Sequence, residues 1–155
     1  MTDAQTQTVE HATAVAVDGR AVLIFGAPGS GKSDLALRLI ADGARLIADD
    51  GTRVHREGQG IFASPPATIA GMMEVRGLGV VTVPGAATPA DAFPVALVVN
   101  LVSDPAQVAR MPDPASRELA GVAVPCVTLW GFAASAVAVV GVALDLALGR
   151  RSPSP

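Results

Sequence analysis

Gly26-Ala27-Pro28-Gly29-Ser30-Gly31-Lys32-Ser33 is a complete G-x-x-x-x-G-K-[ST] phosphate-binding loop. The apolar run Ala21-Val22-Leu23-Ile24-Phe25 leads into it, and the helical pattern Asp34-Leu35-Ala36-Leu37-Arg38-Leu39-Ile40 leads out. Strand, loop and helix in that order are the context the motif requires. Glycines let successive backbone N–H groups turn inward around phosphate oxygens, and the helix N-terminus adds its positive dipole end. All eight positions are therefore candidate nucleotide-binding residues. Lys32 can reach the β- and γ-phosphates, and Ser33 can place its hydroxyl on Mg²⁺. The expected ligand is a nucleoside triphosphate with Mg²⁺.

The approach to the loop is unusual. Residues 11–17, His-Ala-Thr-Ala-Val-Ala-Val, form an extended and mostly apolar run, and Asp18-Gly19 separates it from the loop strand. Asp-Gly between two apolar runs signals a two-residue hairpin. The loop strand should thus pair antiparallel with the strand before it, in a mixed sheet. Ordinary P-loop proteins instead begin with the loop strand in a parallel sheet. With a two-residue turn, Val17 pairs with Arg20, so paired numbers sum to about 37. His11 then falls opposite Gly26, where a histidine could stabilise charge or carry a proton.

Beyond the helix, Asp42-Gly43 is a stop signal. Arg45-Leu46-Ile47-Ala48 reads as a short strand ending in Asp49-Asp50-Gly51. Acidic residues at the end of an apolar strand can hold the Mg²⁺ of the nucleotide, and a second carboxylate can accept the proton of an attacking hydroxyl. Spacing does not decide which aspartate does which. Residues 52–64 read as strands and turns, and Glu74-Val75-Arg76-Gly77-Leu78-Gly79 as an acid–base pair on a Gly-x-Gly turn before a strand. Residues 84–94, rich in Ala, Pro and Thr, read as a mobile loop. Residues 96–102 read as a strand and 133–148 as a helix of small apolar residues. Arg110-Met111-Pro112-Asp113-Pro114 is a polar, proline-bounded turn.

The 155 residues suit one domain with one core, and half of them are apolar while only 16% are charged. Aromatics make up 3%, so the core must be built from Ala, Val, Leu and Ile. A net charge of −3 offers no basic footprint for nucleic acid or an anionic membrane. Residues 121–144 carry no charge, but Pro125, Thr128, Gly131 and Ser135 divide them into a strand and a buried helix rather than a membrane span. The single cysteine, Cys126, fits a reducing, cytoplasmic compartment. Residues 1–10 and 151–155 are expected to be disordered ends, flanking one catalytic domain over residues 11–150. The fold class is α/β: a P-loop domain with a mixed, partly antiparallel sheet and flanking helices.

Together these motifs resemble the kinase domain of HPr kinase/phosphorylase, a family that uses ATP to phosphorylate a serine of HPr, the small phosphocarrier of the bacterial phosphotransferase system. The resemblance covers about residues 11–112, and the compact, kinase-domain-only form matches best. It implies that His11 and Lys32 contact the phosphates, that Ser33 and Glu74 hold Mg²⁺, and that the Asp49-Asp50 pair contains the base. It also implies that Arg110 steadies the moving phosphoryl group, that the partner is an HPr-type protein, and that the chain forms a homo-oligomer, by resemblance a hexamer. The chain departs from the pattern at Thr82, where the family usually has Asp or Asn. It departs again near the C-terminus, where Val124-Pro125-Cys126-Val127-Thr128 stands in place of an Arg-Pro-Gly-Arg-Asn-like segment linked to the reverse, phosphorolytic reaction. Kinase activity with weak or absent phosphorylase activity is the expectation. A small-molecule kinase and a non-enzymatic ATP-binding sensor are the alternatives.

Overall fold

The computed structural model describes residues 8–153. The elements are β1 (Thr8–Glu10), β2 (Thr13–Val17), β3 (Arg20–Phe25), α1 (Lys32–Ala41), β4 (Arg45–Ala48), β5 (Thr52–Glu57), β6 (Gly60–Ser64), β7 (Met72–Val75), β8 (Gly79–Thr82), β9 (Phe93–Val102), β10 (Ala115–Leu119), β11 (Val122–Trp130) and α2 (Ala136–Ala147). A short 3-10 helix, Pro105–Gln107, follows β9.

The Asp18-Gly19 turn sets the centre of the sheet. Both residues adopt positive φ, as a tight hairpin between right-twisted strands demands. β2 and β3 pair antiparallel from Val17↔Arg20 to Thr13↔Ile24, in the register that the sequence predicts. β3 then pairs parallel with β9, and β9 parallel with β11, while β2 pairs antiparallel with β4. Across the loop strand the order is therefore β11-β9-β3-β2-β4, a mixed sheet. β9 also pairs at its start with β6, from which β5 and β1 continue, so the sheet forks along this one long strand.

β3 is buried on both faces, which explains its unbroken apolar run. Alternate residues face two cores. Ala21, Leu23 and Phe25 pack with Ile47, Val54, Ala63 and Val98. Val22 and Ile24 pack with Leu35 and Leu39 of α1 and with Val140 and Leu144 of α2. The β7–β8 hairpin is a separate two-stranded sheet. It lies on the second core through Met73, fully buried among α1 side chains, and this holds Glu74 near the phosphate loop.

Two expectations about the ends and loops change, those for residues 8–10 and 84–94. Thr8–Glu10, placed by sequence in a disordered terminus, is a strand paired with β5; the rest of that segment, residues 1–7, lies outside the described residues. At the other end Arg151 pairs with Asp145 at 3.7 Å, while residues 154–155 lie outside the description. The 84–94 stretch is tied to β4: Ala87 N–H donates to Leu46 O at 2.8 Å, and Arg45 Nε donates to Gly85 O at 2.9 Å. Its last two residues belong to β9, where Pro94 stands opposite Phe62. Among the described residues no helix is long and apolar enough to cross a membrane.

Candidate active site

A cleft of about 480 Å³ opens over the start of α1, floored by Pro28, Gly29, Gly31, Lys32 and Ser33. The loop is a tight turn: Ser30 N–H donates to Ala27 O at 3.0 Å. Two glycines are sterically required. A Cβ on Gly26 would lie 2.3 Å from Ser30 Oγ, and Gly31, the N-cap of α1, has φ +98°. Lys32 leans back across the loop mouth. Its Nζ donates to Gly26 O at 3.0 Å and lies 3.4 Å from Asp50 Oδ1.

The two aspartates at the end of β4 divide sharply. Asp49 is half-buried and fully engaged. Its Oδ1 accepts from Ser33 Oγ at 2.6 Å and from Thr13 Oγ1 at 3.2 Å, and its Oδ2 accepts from the Glu74 N–H at 2.9 Å. It therefore joins the phosphate loop, the hairpin strand and β7 at one carboxylate. Asp50 is exposed, with φ +52°, a conformation that aspartate tolerates better than most residues. Its N–H donates to Thr13 Oγ1 at 3.1 Å, and its carboxylate faces the cleft beside Lys32. Lys32 is largely buried and Asp50 is exposed, so the pair stands at the solvent edge of the loop, and its significance is placement.

Sequence reasoning missed Thr13. It is completely buried, and its hydroxyl touches both members of the aspartate pair. A β-branched residue in an apolar strand reads as a packing residue. The usable signal was its hydroxyl in a strand that enters a phosphate loop. Phe132 was missed as well; it lines the cleft over Gly31.

The predicted site residues do not all converge. Lys32, Ser33, Asp49, Asp50 and Glu74 surround the cleft together with Pro28, Gly29 and Gly31. His11 does not line it. His11 sits in an exposed bend between β1 and β2, and the β2–β3 ladder ends at Thr13. The reason is local competition: Ala12 O accepts from Gly51 N–H at 3.0 Å and from Thr52 Oγ1 at 2.8 Å, which turns the chain toward β5 before His11 can oppose Gly26. Arg110 is exposed in the irregular segment before β10 and does not line the cleft.

The oxygen donors of Ser33, Asp49 and Glu74 suit Mg²⁺, which takes hard oxygen ligands and usually binds through one or two carboxylates plus substrate phosphates. Among the described residues no cluster of three acidic, histidine or cysteine side chains could hold a metal alone. A site completed by the phosphates of a nucleotide is consistent with that donor set.

The loop, the antiparallel hairpin that feeds it and the carboxylates on β4 define a P-loop domain with a mixed sheet. Residues 3–144 match the family model of the HPr Serine kinase C-terminal domain, and the chain belongs to that family. An HPr kinase/phosphorylase of Clostridium tetani is 44% identical over 78 residues, which are 50% of this chain and 26% of that protein. One of Bacillus cytotoxicus is 39% identical over 98 residues, 61% of this chain and 32% of the other. The chain thus spans about a quarter to a third of the length of these curated relatives. A solved structure described as the Hpr(Ser) kinase/phosphatase from Coxiella burnetii shares the fold, with a TM-score of 0.79 at 23% identity over 92% of this chain and 97% of that one.

Proposed function

We propose that this chain is an ATP-dependent protein-serine kinase acting on an HPr-type phosphocarrier. The observation that carries the reading is the unequal aspartate pair: one carboxylate bonded to the loop serine, the other exposed beside the loop lysine. Phosphoryl transfer needs positioning and charge stabilisation more than covalent help from the protein. The loop N–H groups and Lys32 would hold the phosphates. Ser33 and Asp49, with Glu74 at the rim, would hold Mg²⁺, which when bound neutralises charge on the β- and γ-phosphates.

Asp50 is the base in this reading, because its carboxylate is exposed at the cleft, where a serine hydroxyl entering from solvent can meet it. The hydroxyl proton passes to Asp50, the serine oxygen bonds to the γ-phosphorus, the bond to the β-phosphate oxygen breaks, and ADP leaves. Thr13 and Asp49 act by position: they fix the backbone and the metal side so that Asp50 faces the cleft. His11 and Arg110 stand outside the cleft, and a part for either in transfer would require its segment to move toward the phosphates. Phosphorylase activity is weak or absent in this reading, since Val124-Pro125-Cys126-Val127-Thr128 supplies no cation to orient a phosphorylated partner. A homo-oligomer is also part of the reading, supported by Val139, Val142 and Leu146 exposed along α2.

Labelled ATP, Mg²⁺ and candidate HPr proteins, followed by phosphosite mapping, test the function. The expected result is one phosphoserine on HPr, abolished in Lys32→Ala while the variant stays folded by circular dichroism. ATP turnover with label on no protein, or normal labelling by a folded Lys32→Ala, would sink the assignment.

A further inference from the structure

We infer that Phe132 is the platform on which the base of the bound nucleotide stacks. The inference rests on the nucleotide-binding reading above and adds the part of the ligand that this reading leaves unplaced.

Strand order gives the direction. The phosphate loop follows β3, in the middle of β11-β9-β3-β2-β4. The aspartates follow β4, two strands to one side, and Phe132 follows β11, two strands to the other. Two strand spacings are about 10 Å. A triphosphate lying across the loop with its reacting end at Asp50 therefore extends its nucleoside end toward Phe132.

The ring is suitably placed. Phe132 Cζ lies 3.0 Å from where a Cβ on Gly31 would be, so the ring covers the last glycine of the loop. It lines the same cleft as Pro28 and Gly29 yet keeps 49% of its surface exposed. This is costly for a large aromatic in a chain that has only four Phe and one Trp. The tryptophan braces it: Trp130 meets Phe132 edge-on, with centroids 6.1 Å apart and planes at 72°.

The segment that carries the ring is held from α1. Arg38 donates to Gly131 O and, at 3.3 Å, to Ala133 O, and is itself fixed by Asp34 at 2.9 Å. Both carbonyls flanking Phe132 are thereby tied to the helix that begins at Lys32. An aromatic held in advance of binding loses little freedom when a base stacks on it.

The test is calorimetric titration of the full chain with ATP and with inorganic tripolyphosphate, each with Mg²⁺. The two ligands share phosphates and differ in the nucleoside. Phe132→Leu keeps an apolar side chain over Gly31 but removes the π face; Phe132→Trp keeps it. Stacking of a base on an aromatic ring predicts that Phe132→Leu binds ATP about tenfold more weakly, with tripolyphosphate unchanged, and that Phe132→Trp binds ATP as wild type does. Equal weakening of both ligands would make the ring a prop for the loop, and unchanged ATP binding would make it irrelevant; either result overturns the inference while leaving the nucleotide reading intact. Wild-type protein that binds neither ligand would overturn both.

Discussion

The two flanks of the phosphate loop are built from opposite materials. On the β2–β4 side a net of short polar contacts converges on Asp49, from Ser33, Thr13 and the Glu74 N–H. On the β9–β11 side the loop meets Leu101, Phe132 and the backbone of Gly131, and the nearest polar group of the loop itself, Ser30 Oγ, is buried with no partner among the described residues. Further down that side Arg117 lies 3.7 Å over the Phe25 ring, and Asn100 Nδ2 donates to Cys126 Sγ at 2.8 Å. Burial raises the Cys126 thiol pKa, against the opposing pull of Arg117. A polar net can place charges to a fraction of an ångström, whereas an apolar wall holds shape. In the proposed reading the first flank would carry the metal and the base, and the second would hold the nucleoside end of the ligand.

That division can be broken in several places. The largest effect concerns the β11 flank and the reverse reaction. Supplied with seryl-phosphorylated HPr, phosphate and Mg²⁺ without nucleotide, the protein should release pyrophosphate at most at a trace of the kinase rate. Release at a comparable rate would show that Val124-Pro125-Cys126-Val127-Thr128 suffices for phosphorolysis.

Asp49→Ala should strike the metal side. In the proposed reading Asp49 holds Mg²⁺ together with the Ser33 hydroxyl from which it accepts, and losing such a partner costs about 10–100-fold in metal affinity. The concentration of Mg²⁺ needed for half-maximal transfer should rise by about that factor, read from a Mg²⁺ titration at fixed ATP. An unchanged requirement would separate Asp49 from the metal.

Thr13→Val is a smaller and sharper probe. It keeps the volume but removes both the donor to Asp49 and the acceptor for the Asp50 N–H. Without that anchor the Asp50 carboxylate is less well positioned, so kcat should fall about tenfold with little change in ATP binding, and Thr13→Ser should restore it. If Thr13→Ser fails to rescue while both variants melt as wild type does, the hydroxyl is not the relevant feature.

The sequence made some of this legible and hid the rest for physical reasons. The hairpin register was readable because turn chemistry is local: Asp18-Gly19 fixes the pairing that the structure shows to Thr13↔Ile24. The register of His11 was not, because the bonds that divert Ala12 come from Gly51 and Thr52, distant in sequence. Asp49 and Asp50 could be named but not told apart. Their difference rests on a positive φ at Asp50 and on a threonine from another strand, neither of which has a signature in the pair itself. Residues 8–10 read as a polar end, yet they pair with β5, because an exposed sheet edge accepts a strand whatever its polarity.

The most direct test of the division of labour is Asp50→Asn, which keeps the shape and removes the base. Single-turnover transfer from Mg²⁺–ATP to the serine of HPr should slow by about 10²–10⁴-fold. The dissociation constant for Mg²⁺–ATP, measured on the same preparation, should stay within about twofold of wild type if the loop and the β11 flank carry binding. Transfer at the wild-type rate, or a loss of ATP binding as large as the loss of transfer, would contradict the account.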